Sequence, residues 1–162
     1  MAYDGLVAVV KDEDLSTPSS DQKFALGAKH HKNGNEYVYV YNGQSAIGTG
    51  KYCVLEGIAS SYTSGYTVTV TNASLAGWMA GVAQTTIAAS YYGFIMTKGV
   101  SLIAPDSGAV SANVGVDLAL GTDGGFVAAG ATFSTAPRFG HTLNSFVTTV
   151  GTSKARIFGS IL

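Results

Sequence analysis

One cysteine, Cys53, stands in 162 residues. A disulfide framework within the chain is therefore excluded, as is any zinc site built from several thiolates. Three prolines sit against 21 glycines, a balance that suits strands joined by tight turns better than a helical bundle. Charge is scarce: Asp, Glu, Lys and Arg make up 12% of the residues, where an ordinary domain has about 25%. The net charge of −1 argues against a dedicated nucleic-acid binder, which needs a basic surface. Long hydrophobic runs are missing too. The sparsely polar stretch from Leu75 to Ala89 is broken by Gly77, Gly81, Gln84, Thr85 and Thr86, so it does not read as a membrane span. Met1–Gly5 has no basic residue, and the apolar Leu6–Val10 that follows is too short for a signal core.

What charge there is lies at one end. Residues 1–56 hold seven acids and five bases, whereas residues 57–162 hold only Lys98, Asp106, Asp117, Asp123, Arg138, Lys154 and Arg156. A Ser/Thr-rich surface is one reading of the second region. Contact with other protein in an assembly is the other, because interface cores are depleted of charge. With 46% hydrophobic residues, the chain has enough apolar content for one ordinary core.

Residues 1–23 read as an extended N-terminal arm, because Lys11–Asp21 is charged, turn-rich and poor in apolar side chains. Residues 24–162 read as one β-rich domain. Glu36-Tyr-Val-Tyr-Val-Tyr41 is β-branched and aromatic throughout and follows Asn33-Gly34, the strongest short hairpin signal. Phe24–His31 and Glu36–Tyr41 are thus expected to pair. Tyr66-Thr-Val-Thr-Val-Thr71 alternates with period two. Further strands are expected at Tyr52–Leu55, Trp78–Gln84, Tyr92–Thr97, Val100–Ala104, Val114–Leu120, Gly125–Ala129, Ser145–Val150 and Ala155–Phe158. Helix signals are few: a turn or two within Ser74–Val82, weakened by Gly77 and Gly81, and one turn within Thr85–Ser90. No internal repeat stands out. The pattern is all-β, a compact β-barrel or β-sandwich of short antiparallel strands.

Chemistry-bearing groups form no recognisable machinery. His30 and His31 are adjacent, so on a strand they point to opposite faces and do not chelate one metal. No Gly-x-Ser-x-Gly elbow occurs, and the acids give no placeable carboxylate pair. Gly121-Thr-Asp-Gly-Gly125 lacks the Gly-Lys-Ser/Thr ending of a phosphate loop and reads as a turn. Asp117 and Asp123 are too few for a calcium loop. Cys53 reads as a small buried hydrophobe. No catalytic residue, metal or cofactor is expected. Tyr37, Tyr39 and Tyr41 share one strand face. Such a face can pack against neighbouring strands, form a subunit interface or bind a glycan; few bases flank it, which disfavours single-stranded nucleic acid.

Phe24-Ala-Leu-Gly-Ala-Lys, the Asn33-Gly34 turn, Glu36-Tyr-Val-Tyr-Val and Gln44-Ser-Ala-Ile-Gly-Thr-Gly50 follow one another in an order that resembles small structural proteins of tailed bacteriophages. Ala80-Gly-Val-Ala-Gln-Thr-Thr-Ile-Ala-Ala and then Tyr92-Gly-Phe-Ile-Met-Thr-Lys-Gly99 are similar to the core of the same proteins. These are capsid decoration, or cement, proteins and related head-surface modules. The likeness covers about residues 24–104, with Ala28 where the opening usually carries threonine. It implies a virion protein on the capsid surface that binds the major capsid protein, associates with itself as a homotrimer, and works mechanically. It implies no nucleic-acid or membrane partner. The arm, with Asp4, Asp12, Glu13, Asp14 and Asp21, is the expected capsid contact; fully extended it spans up to roughly 75 Å. The rival reading is a head-fibre or tail-associated adhesin that uses the Tyr37/Tyr39/Tyr41 face for host glycans. If the arm is separate, a chain starting at Gln22 keeps its fold and nearly its melting temperature.

Overall fold

The computed structural model describes residues 9–55, 65–70, 79–106, 115–121, 124–128, 139–143 and 153–158. They form an all-β protein around a closed five-stranded barrel. Ten strands run in chain order: β1 (Lys29–Lys32), β2 (Asn35–Asn42), β3 (Tyr52–Leu55), β4 (Thr67–Thr69), β5 (Met79–Ala83), β6 (Tyr92–Ile103), β7 (Asp117–Leu120), β8 (Phe126–Ala128), β9 (Gly140–Thr142) and β10 (Ser153–Ile157). The barrel order is β2-β4-β3-β5-β6, closed by β6 on β2; β1 adds to β2, and β10-β9-β7-β8 continue from β6 as a second layer. No helix among the described residues is long and apolar enough to cross a membrane.

The hairpin of β1 and β2 forms where Asn33-Gly34 places it. Lys32 pairs with Asn35, leaving two turn residues with φ of 50° and 77°, the left-handed pair that a type I′ turn requires. From Glu36 to Tyr41, β2 then pairs antiparallel with β6, from Lys98 to Tyr92. One pairing breaks the antiparallel expectation: β2 and β4 run parallel, Tyr41 beside Thr67 and Asn42 beside Val68. A parallel neighbour needs a crossover, and here β3 lies in sequence between the two.

The expected strands Tyr92–Thr97 and Val100–Ala104 are one strand, β6. It survives the Lys98-Gly99 break because a bulge absorbs it. Glu36 pairs with Lys98 but Tyr37 with Met96, so Thr97 is the extra residue, and its hydroxyl donates to the Glu36 carbonyl at 3.3 Å. Gly99 follows at φ 120°, where a Cβ would lie 2.1 Å from Asn35 Oδ1. Bulges sharpen twist and bend a strand. Here the bend carries β6 from the barrel into the second layer, where it pairs with β10.

Three apolar clusters follow from this path. Val38, Val40, Ile47, Cys53, Val68, Ala80, Ala83, Ile87 and Ile95 fill the barrel. On the β3/β5 flank, Tyr52, Val54, Met79 and Val82 meet Ile103, Leu118, Phe126, Ala155 and Ile157 of the second layer. On the β2/β6 flank, Tyr37, Tyr39, Phe94 and Met96 lie beneath Leu15, with Val10, Phe24, Leu26 and Ala28 beside them. The barrel is therefore covered on two sides by its own chain.

A repeat that the sequence reading did not find also emerges. Gln44, Ile47 and Tyr52 recur 40 residues on as Gln84, Ile87 and Tyr92. The two turns that carry them meet as a near-symmetric pair. Ile47 and Ile87 exchange both backbone hydrogen bonds at 2.9 Å, the Gly50 amide donates to the Ala83 carbonyl at 2.7 Å, and the Ser90 amide donates to the Asn42 carbonyl at 2.9 Å. Gly50 and the matching Ser90 both have positive φ, 78° and 61°. Both isoleucines are fully buried and belong to the barrel's interior cluster. The expected helical turn within Thr85–Ser90 is thus a bridged turn. Over Met79–Val82 the chain is β5, because Gly81 lets strand β6 approach to within 2.7 Å of where a Cβ would sit. Residues 71–78, 144–150 and Asp123, on which parts of the helix, strand and loop expectations fell, lie outside the described residues. Strand β9 was missed, since Gly140-His-Thr is too short and mixed to carry a period.

Candidate functional site

The N-terminal segment departs most from expectation. From Val9 to Lys23 it is not a projecting extended arm but a strap laid over the β2/β6 flank. Asp12–Ser16 form one 3-10 turn, opened by the Lys11 amide donating to Asp14 Oδ2 at 2.8 Å and the Asp14 amide donating to the Lys11 backbone carbonyl at 3.1 Å. The turn is acidic outward and apolar inward: Leu15 is 7% exposed and contacts the aromatic cluster. Ser19 then bridges to Tyr92, through Ser19 N–H to Tyr92 O at 3.0 Å and Tyr92 N–H to Ser19 O at 2.8 Å. The Lys23 amide donates to Tyr39 Oη at 3.2 Å. Low apolar content suggested a free arm, but one leucine and one short bridge at the right spacing suffice to dock it.

Of the expected capsid-contact acids, Asp4 lies outside the described residues. Glu13 and Asp21 are exposed and Asp14 is half-buried at the cap. Asp12 reaches the β1 strand, its carboxylate 3.2 Å from Lys32 Nζ and 3.4 Å from His30 Nε2. The hydrogen-bonded Lys32 ammonium holds the Asp12 carboxyl below its ordinary value, against a smaller opposing effect of burial. His30 and Lys32 face the strap while His31 points to solvent, as the period of two requires. His141 sits apart in β9 of the second layer.

The strap also decides the fate of the tyrosine face. Tyr37 and Tyr39 are buried. Tyr39 packs edge-on to Phe24 at 5.2 Å, tilted on Phe94 at 4.9 Å and stacked on Tyr92 at 6.1 Å. Its hydroxyl is raised above the ordinary value by burial. Tyr41 is half-buried against Tyr92 at 4.9 Å. The face is a packing surface and presents no open platform for a glycan.

The remaining candidates are structural. Cys53 is fully buried, its thiol donates to the Gly81 carbonyl at 3.4 Å, and burial pushes it up to about 12. Gly121 and Gly125 flank the β7–β8 connection, the Gly121 amide bonded to the Gly125 carbonyl at 2.8 Å; the Tyr52 hydroxyl donates to the Gly121 carbonyl. Asn42, fully buried, was not singled out from sequence. Its amide nitrogen donates to the carbonyls of Ser45, Ile87 and Ala88 at 2.8, 3.0 and 3.0 Å. Among the described residues no three His, Cys, Asp or Glu side chains gather as metal ligands.

The sparsely charged C-terminal region, read from sequence as a Ser/Thr-rich surface or an assembly contact, supplies most of the outer side of the second layer. Across it one row of paired residues runs Val100, Arg156, His141, Asp117. Ala155 and Ile157 point inward, so Lys154, Arg156 and Phe158 point out. Phe158 is 50% exposed, and Val100 and Leu143 are also exposed. The Phe158 ring lies 5.6 Å from the His141 ring. No protein-family model and no curated protein matches the chain.

Proposed function

We propose that the protein is a structural virion component that binds the outside of a phage capsid and stabilises contacts between capsomers, gripping the shell through its N-terminal segment. The observation that carries this reading is where the family-like residues lie. Phe24 and Leu26 pack beneath the strap, Glu36–Tyr41 lie within β2, Ala80–Ala83 within β5 and Tyr92–Gly99 within β6. Gln44–Gly50 and Gln84–Ala89 are the two paired turns. The stretch that resembles decoration proteins is thus the closed barrel itself, a unit that can fold with its own core. A mechanical role asks for such a unit, since resistance to rupture comes from buried area across a boundary and not from reacting groups. Self-association, as a trimer if the resemblance extends that far, and a place on the capsid surface belong to the same proposal.

The adhesin alternative has no observation in its favour, because its tyrosine face is covered. The deciding experiment adds the purified protein to undecorated heads and measures bound copies and resistance to heating. Binding in a fixed ratio to the major shell protein, with a raised rupture temperature, is expected. Protein that stays free at saturating concentration, or binds without moving the rupture temperature, overturns the reading.

A further inference from the structure

We propose that copies of this protein associate head to tail, the acidic strap turn of one copy seating on the outer face of the second layer of the next. Two surfaces on different flanks of the barrel carry the argument. The first is the turn over the β2/β6 flank. Lys11, Asp12, Glu13 and Asp14, with Lys32 paired to Asp12, give it a formal charge of −1. Glu13 points to solvent, its carboxylate 3.8 Å from an equally exposed Lys11. Val9 beside it is 79% exposed, the most open large apolar side chain among the described residues.

The second surface covers the β3/β5 flank. It presents Lys154 and Arg156 against Asp117, a formal +1 with histidine neutral. Three of the five exposed large apolar side chains among the described residues, Val100, Leu143 and Phe158, lie on it. It also carries three of the seven charges of residues 57–162. Aromatic and Arg side chains ringed by charge are what interface cores and rims use. An acidic turn tipped by an exposed valine complements a basic face bearing an exposed phenylalanine in both charge and apolarity.

Because the complementary patches lie on different flanks, the contact is heterologous: each copy uses its turn once and its face once. Such contacts close into a ring when the rotation permits and otherwise extend as a chain. This deepens the proposed self-association and rests on that reading. It assigns the middle of the N-terminal segment to the neighbouring copy and leaves its ends, with Asp4 and Asp21, for the shell.

The test needs no heads, so failure on heads and failure between copies are separate results. Two variants change only exposed groups: a turn variant with Val9→Ser and Glu13→Lys, and a face variant with Arg156→Glu and Phe158→Ser. Mass is read by light scattering after size exclusion at low salt, with circular dichroism and melting temperature as checks on folding. The unaltered protein is expected at a multiple of 16.6 kDa, with association falling at least tenfold between low and high salt. Each variant alone is expected at 16.6 kDa. Their equimolar mixture is expected to form 1:1 dimers and nothing larger, since only one turn and one face remain intact per pair. An unaltered protein that stays monomeric overturns the proposal. So does a turn variant that still associates alone, which marks a face-to-face contact, or a mixture that stays monomeric.

Discussion

Replacing Leu15 by alanine tests whether the strap is held by one anchor. Leu15 is 7% exposed and is the only buried residue of its 3-10 turn. Removing a buried leucine side chain costs about 2–5 kcal/mol, least where the site can collapse. A strap lying on the outside of a sheet can settle, so about 2–3 kcal/mol is expected. At 1.36 kcal/mol per tenfold change, strap opening becomes roughly 30- to 150-fold more frequent. Native-state hydrogen exchange reads this directly. The Ser19 and Tyr92 amides, which bond each other's carbonyls across the bridge, should lose that much protection. The Ile47 and Ile87 amides inside the paired turns should keep theirs until the barrel unfolds. Loss of less than threefold at Ser19 would show that Leu15 is not the anchor. Equal loss at Ser19 and Ile87 would show that strap and barrel open only together.

Four further outcomes follow from the same contacts. A chain starting at Gln22 loses Leu15 and the Ser19 bridge, about 3 kcal/mol together, and should melt roughly 6–12 °C lower, more than a separate arm would allow. Asn42→Asp sets a carboxylate against the carbonyls that now accept from the side-chain amide, so its folded pKa rises above the unfolded value of about 3.9. Its destabilisation should therefore be smallest near pH 3, where the acid is protonated, and grow as pH rises above 4 in denaturant melts. Lys32→Met removes the ammonium that depresses the Asp12 carboxyl, and carboxyl NMR titration should show that group returning toward its ordinary value. The Asp12–Lys32 attraction is present above the unfolded pKa and lost as pH falls through the depressed folded one, so strap protection should fall there in the unaltered protein and not in the variant. Cys53, buried and pushed up to about 12, should react with a thiol reagent at pH 8 only at the rate of unfolding.

Local chemistry by itself determined the β1–β2 hairpin, because Asn33-Gly34 needs no help to adopt its turn. It determined β3 at Tyr52–Leu55 and the core of β4, because β-branched and aromatic side chains suit a pleated surface. It placed His30 and His31 on opposite sides and Cys53 in the interior. Tertiary structure alone decided what those faces meet. The period of two states that Tyr37, Tyr39 and Tyr41 share a side but not what covers it, and the cover comes from Leu15 and Phe24, across a turn-rich segment. It states that Val38 and Val40 share the other side but not that β6 returns to close a barrel around them. The row of Val100, Arg156, His141 and Asp117 spans four strands drawn from nearly sixty residues of chain, and no local pattern encodes it. Pairing partners far apart in sequence are chosen by the total apolar area that closure buries, a property of the assembled barrel and not of any one strand.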